Sequence, residues 1–273
     1  MRKILFVLLI LLPTLALFGC SHHKVPANVV RVGTIAGPET KLMETAKKVA
    51  LEKFGLHVKI ITFTDYNTPN QALEDGELDA NAFQHYPFLL SQIKARGYSL
   101  VPVGDTFLYP MGLYSKTLKK LSDLKAGAKI AIPNDPSNEA RALLLLQKAG
   151  LITLKPKATI NATIQDVESN PKHLKIVSLD AAQLPRVLED VAIAAINTNY
   201  AVPAGLEPSK ALFSEQSDSP YMNLIVAKAA DKNELKIKEL VEAYQSAPVA
   251  LEAKKLFGDS AIMGFKVGSE PRA

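Results

Sequence analysis

The chain has 273 residues, with 32 Lys and Arg against 27 Asp and Glu, a formal net charge of +5 and a single cysteine. Its basic residues are dispersed in groups of no more than a few, which excludes the electrostatic footprint of a nucleic-acid binder. A lone thiol excludes an internal disulfide, so stability must come from buried apolar surface, and the length suffices for one large or two moderate cores.

In chain order, Met1-Arg2-Lys3 precedes an apolar run from Ile4 to Phe18. That run is short of the roughly 20 residues a spanning helix needs, so residues 1–19 read as an export signal. Leu17-Phe18-Gly19-Cys20 resembles the lipobox of bacterial lipoproteins, with Phe18 bulkier than the residue usual there. The resemblance implies cleavage before Cys20 and acylation of its sulfur and new amine. Each buried CH₂ of such chains contributes about 0.8 kcal/mol of membrane affinity, so two or three chains anchor firmly. Loss of Arg2 and Lys3 with the signal lowers the net charge from +5 to +3. Residues 20–28 form a lipidated tether, in which His22 and His23 are incidental rather than metal ligands.

The remainder alternates β-rich runs with amphipathic stretches, the pattern of open α/β sheets. Val29 to Ile35 is a strand. Gly37 and Pro38 open a helix with apolar Leu42, Ala46, Val49, Ala50 and Phe54 at helical spacing, stopped by Gly55. His57 to Phe63 is a strand, Pro69 to Glu74 a short helix, and Asp79 to Phe83 a third strand. Pro87 starts a helix that ends at Gly97, and a strand follows near Leu100 to Val103. A second cycle runs through the strand Lys129 to Ile132 and a helix capped by Asp135, with Pro136 first, ending at Gly150. Then come the strand Leu174 to Leu179, a helix Ala181 to Leu188 and the strand Ala192 to Ile196. A strand Tyr221 to Ala227 and helices Glu234 to Gln245 and Val249 to Phe257 complete the chain. Two cycles without a Gly/Ser linker predict two α/β domains joined by ordinary strands, with crossings at Phe107 to Gly112 and Ser217 to Asn223.

Ligands of open α/β sheets sit beyond the carboxyl ends of strands. Those ends carry Thr64-Asp65-Tyr66, Gln84-His85-Tyr86, Asn134 to Arg141 and Asn197-Thr198-Asn199-Tyr200. Aromatics dominate the first cycle, Arg and Asn the second, a division suited to an amphiphilic small molecule. Arg141 can grip a carboxylate with two parallel bonds, although Asn138, Arg141, Leu145 and Lys148 share a helix face that could equally be wet. Asn197 and Asn199 can serve an ammonium or a carboxylate, or simply form a turn. Tyr66 and Phe83 suit a core as well as a pocket. His85 has no second ligand at metal spacing, and no metal or other cofactor is expected. No nucleophile is paired with a base, and neither a G-x-S-x-G elbow nor an H-E-x-x-H pair occurs, so the chain reads as a binder rather than an enzyme.

Six ordered strings go further: Phe63 to Leu73 (FTDYNTPNQAL), Asp79 to His85 (DANAFQH), Ala131 to Asn138 (AIPNDPSN) with Arg141 to Lys148, Ala182 to Arg186 (AQLPR), Ile196 to Ala201 (INTNYA) and Ser219 to Val226 (SPYMNLIV). Together they closely resemble the NlpA family, the methionine-binding lipoproteins of bacterial ABC importers, over essentially the whole chain. The resemblance implies a type II periplasmic-binding-protein fold, with residues 29–108 and 221–273 in one domain and 109–220 in the other. It implies methionine held between them, a permease and ATPase as partners, and a lipid anchor on Cys20 facing the periplasm or exterior. Carried over by position, Arg141 would hold the carboxylate, Asn197 and Asn223 would satisfy the amino and carboxylate groups, and Tyr66, Phe83 and His85 would line the side-chain pocket. Asn199 stands where many relatives have Thr and receives no contact. A methionyl dipeptide, another apolar amino acid, or a surface adhesin role are the alternatives.

Overall fold

The computed structural model describes residues 28–267. The export signal, Cys20 and nearly all of the tether lie outside the described residues.

The first run comprises β1 (Val29–Ile35), α1 (Pro38–Phe54), β2 (His57–Phe63), α2 (Thr68–Glu74), β3 (Ala80–His85), α3 (Tyr86–Arg96) and β4 (Leu100–Leu108). A middle run follows with β5 (Gly112–Tyr114), β6 (Lys129–Pro133), α4 (Pro136–Lys148), β7 (Thr153–Leu154), β8 (Val167–Ser169), β9 (Lys175–Leu179), β10 (Ile193–Ile196), α5 (Thr198–Ala201) and β11 (Phe213–Ser214). The chain then returns through β12 (Met222–Lys228), α6 (Leu235–Tyr244), α7 (Ala247–Phe257) and β13 (Ile262–Met263). One six-stranded sheet has the order β13-β4-β12-β3-β1-β2, and a five-stranded sheet has the order β11-β5-β10-β6-β9. We call these, with their helices, the first and second lobes. The returning strand β12 inserts antiparallel between β3 and β4, pairing Asn223 with His85.

Each helix starts and stops for a local reason. Pro38, whose missing N–H costs nothing at a helix start, follows Gly37 at φ 134°, and left-handed Gly55 closes α1 by donating to Leu51 O and Ala50 O. The Asp135 carboxylate accepts from the Asn138 N–H and caps α4. His85 caps α3 through its imidazole, which accepts from the Phe88 N–H. β3 therefore reaches His85, two residues past the expected end, because the last strand residue is also the helix cap. Two further extents differ by more than two residues. β4 continues to Leu108, paired along β12, and the helix expected over Ala181 to Leu188 is two 3₁₀ turns, Ala181–Gln183 and Arg186–Glu189. Pro185 between them lacks the N–H that would continue the first turn.

Each lobe has its own core. In the first, α1, α6 and α7 bury Leu42, Met43, Ile237, Leu240 and Val249 against Val30, Val32, Phe107 and Ile225 of the sheet. In the second, Leu143 and Leu146 of α4 pack on Leu113, Ile130, Ile132 and Ile193. At about 1.5–3 kcal/mol per fully buried large aliphatic or aromatic side chain, each cluster offsets the ordering of its own lobe without a disulfide. The connections between the two sheets run through residues 109–111, between β4 and β5, and 215–221, between β11 and β12.

Candidate functional site

Tyr66, Phe83, His85, Arg141, Asn197 and Asn223 line one cavity, together with Gln84, Phe88, Tyr109, Asn138, Thr198 and Asn199. It lies between the lobes, at the carboxyl ends of the strands.

The first lobe supplies rings. Asp65 accepts from the Asn67 and Thr68 N–H groups, a turn that fixes the loop after β2 and turns Tyr66 inward. Tyr66 lies 6.0 Å from Phe83, 5.9 Å from Phe88 and 4.9 Å from Tyr200 between ring centroids, and Phe83 meets Phe88 edge-on at 5.9 Å. Behind this wall Asn70, Asn81 and Gln84 bond one another through buried amides, with Gln84 Nε2 donating to Asn70 Oδ1 at 2.6 Å and Asn81 Oδ1 at 2.9 Å. Asn70 Nδ2 returns a bond to Gln84 Oε1 at 2.8 Å. These amides fix β3 to α2 and hold Phe83 in place.

The second lobe supplies directed polar groups. Arg141 is buried rather than wet, as are Asn138 and Leu145 on its face, while Lys148 alone reaches solvent. Its Nε donates to Glu215 Oε1 at 2.8 Å, and Nη2 donates to Glu215 Oε2 at 2.5 Å and to the Tyr109 carbonyl at 2.9 Å. Both charged partners are under one-tenth exposed, at 3% and 8%. The guanidinium also stacks 4.4 Å from the centre of the Tyr221 ring. These contacts use Nε and Nη2 and leave the Nη1 donors without a protein partner among the described residues. Asn138 Nδ2 donates to Asp135, and Asn138 Oδ1 accepts from Asn197 Nδ2 at 2.8 Å. Asn197 Oδ1 is buried without a partner.

His85 joins the two walls. Because Nδ1 accepts from the Phe88 N–H, the ring proton sits on Nε2, which donates to Asn138 Oδ1 at 3.2 Å. Burial, with Arg141 nearby, pushes its pKa down to about 3, so the ring is neutral. The lobes are further tied by Tyr66 Oη donating to Asn199 Oδ1 at 2.6 Å and Tyr200 Oη donating to the Thr64 carbonyl at 3.2 Å.

Two carboxylates at the site were not expected. Glu215 lies in a patternless connection between β11 and β12. Glu39, in the first turn of α1, is buried and accepts from Asn199 Nδ2 and Asn223 Nδ2, each at 3.1 Å. Its burial pushes the carboxyl up to about 8 against the pull of those two bonds. Helical spacing was the available signal, since Glu39 shares the buried face of α1 with Leu42, Met43 and Ala46. Asn199, given no contact beforehand, bridges Tyr66 and Glu39. Among the described residues no cluster of three His, Cys, Asp or Glu could hold a metal ion.

The family described as NlpA lipoprotein matches residues 30–265. The chain is 51% identical over 258 residues to the D-methionine-binding lipoprotein MetQ of Salmonella typhi, covering 93% of this chain and 95% of that one. A periplasmic substrate-binding protein of an ABC transporter from Coxiella burnetii superposes with a TM-score of 0.84 at 64% identity, over 86% of this chain and 100% of that one. A nutrient-binding protein from Burkholderia cenocepacia, solved bound to methionine, gives a TM-score of 0.85 at 55% identity over the same shares.

Proposed function

This chain belongs to the NlpA lipoprotein family and has the two-lobed α/β fold of periplasmic substrate-binding proteins, and from that premise we propose that it captures methionine, in the L- or D-form, between its lobes for an ABC importer. Its role is binding, not catalysis. One observation carries the reading. A cavity pairs a buried guanidinium with Nη1 uncommitted and an unpartnered Asn197 Oδ1 against a wall of three aromatic rings.

The zwitterion fits that division by charge. Its carboxylate takes Nη1 of Arg141 while Nε and Nη2 stay on Glu215 and Tyr109. Its ammonium takes the amide oxygens of Asn197 and Asn223. Its thioether lies against Tyr66, Phe83 and Phe88, where sulfur–ring contacts contribute about 0.3–1.5 kcal/mol each. Neutral His85 adds a polar wall without a competing charge. Exclusion of water by the inter-lobe bonds of Tyr66, His85 and Tyr200 strengthens every charged contact inside. Acyl chains on Cys20 hold the protein at a membrane facing the periplasm or exterior, and the closed form delivers its cargo to the permease and ATPase of the importer.

The test is a thermal-shift titration of the purified full chain with L-methionine, D-methionine, a methionyl dipeptide and leucine. A ligand that binds only the folded state raises the melting temperature in step with its concentration over its Kd. Methionine is expected to give the largest rise. No rise with any of the four overturns the reading and favours a surface-interaction role. For the anchor, intact mass of the mature chain is expected to show acylated Cys20 at the N-terminus, and Cys20→Ala to release the protein from membranes.

A further inference from the structure

Glu39 touches no part of the cavity surface, yet it accepts from two asparagines that do. Asn223 Nδ2 donates both to Glu39 Oε1, at 3.1 Å, and to the Phe83 carbonyl, at 3.3 Å. Both amide hydrogens are thereby committed, and only the Asn223 oxygen remains to meet a ligand. Asn199 Nδ2 donates to Glu39 Oε2, which aims Asn199 Oδ1 at the Tyr66 hydroxyl. Ionised, as it becomes when a cation arrives, this carboxyl offers one acceptor oxygen to each amide and fixes the orientation of both. An amide acceptor in its place could satisfy only one of them.

Resting on the methionine reading, we propose that Glu39 is the positioning residue for the ligand's α-ammonium group: it turns the Asn223 amide oxygen into the cavity and sets a buried negative charge behind it. Among neutral and anionic amphiphiles of the same shape, the site then selects those carrying a cationic amine. Position supports this in three ways. The N-terminus of the 17-residue helix α1 favours an anion in its first turn, where Glu39 lies. The titratable groups facing Glu39 are hydroxyls, Tyr66 from the loop after β2, Tyr109 after β4, Tyr200 of α5 and Tyr244 of α6, all held neutral by burial. The buried cation of the cavity, Arg141, is already paired with Glu215. Among the described residues no cation is therefore in place to neutralise Glu39, and an incoming ammonium is the natural complement. With its carboxyl held up near 8, Glu39 is largely protonated at neutral pH in the empty protein, and arrival of a cation drives the proton off.

The experiment compares methionine with its des-amino analogue, 4-(methylsulfanyl)butanoate, by calorimetry on the full chain of wild type, Glu39→Gln and Glu39→Asp. Wild type is expected to prefer methionine by tenfold or more. Glu39→Gln, which leaves one asparagine without an acceptor and removes the charge, is expected to weaken methionine at least tenfold and the analogue less than threefold. Glu39→Asp keeps the charge and is expected to retain part of the preference. Repeating the titration at pH 7 in buffers of different ionisation enthalpy should show proton release by wild type and none by Glu39→Gln. Equal losses for both ligands in Glu39→Gln, or no loss for either, would overturn the assignment while leaving methionine capture intact. Failure of wild type to bind methionine would bring down both.

Discussion

The wall contributed by the first lobe is a ring cluster in which Tyr66, Phe83 and Phe88 each touch the other two. The wall from the second lobe is a chain of directed bonds, Asp135 to Asn138 to Asn197, beside the pair of Glu215 and Arg141. Apolar contact is redundant and tolerant of small shifts, because dispersion is the sum of many weak terms. Directed bonds are neither, because removing one partner leaves another buried and unsatisfied. The same cavity is therefore forgiving on one side and brittle on the other, and single substitutions should show it.

The sharpest test of that asymmetry is the buried ion pair. Glu215→Ala strands the Arg141 guanidinium and is expected to destabilise the protein by about 3–5 kcal/mol, read by denaturant unfolding. Arg141→Ala strands Glu215 in turn and also leaves the ligand carboxylate unpaired, so methionine affinity should fall at least a hundredfold, about 3 kcal/mol by calorimetry. Next comes Asn138→Ala, which orphans the Asn197 and His85 donors together. A loss of about 2 kcal/mol in unfolding free energy is expected. On the other wall Phe83→Leu keeps an apolar surface, and methionine affinity should drop by less than tenfold, about 1 kcal/mol. A larger effect at Phe83 than at Arg141 would invert the comparison.

Acidity gives a finer test. His85 has its folded pKa pushed from 6.5 to about 3, so the stability of its buried neutral form is present above pH 6.5 and is lost as pH falls toward 3. Glu39 runs the other way. Its pKa is raised from 4.5 to about 8, so the folded state holds the extra proton, and the associated stability, present below pH 4.5, is lost as pH rises toward 8. His85→Gln should flatten the acid limb of the stability profile, and Glu39→Gln the rise in instability toward pH 8. Urea midpoints across pH 4 to 8 check both.

Much of this arrangement is legible in the sequence. Gly55 and Gly97, left-handed at helix ends, and Pro136 after Asp135 marked α1, α3 and α4 because each acts through its own backbone. The strands β5, β7, β8, β11 and β13 could not be read, since two or three residues carry no alternation and their pairing is set by distant partners. At the site, Tyr66, Arg141 and Asn197 stood at strand ends where chemistry gathers. Asn223 had its role only from family resemblance, because it meets His85 through a long-range strand pairing. Glu215 had no local signal at all. Glu39 was hidden by being an ordinary choice for a helix's first turn.

The most direct measurement is a crystal structure of the methionine complex. The carboxylate is expected within hydrogen-bonding distance of Arg141 Nη1, the ammonium on the Asn197 and Asn223 oxygens, and the sulfur among Tyr66, Phe83 and Phe88. Methionine bound outside the cleft, or reversed with its sulfur at Arg141, would contradict it.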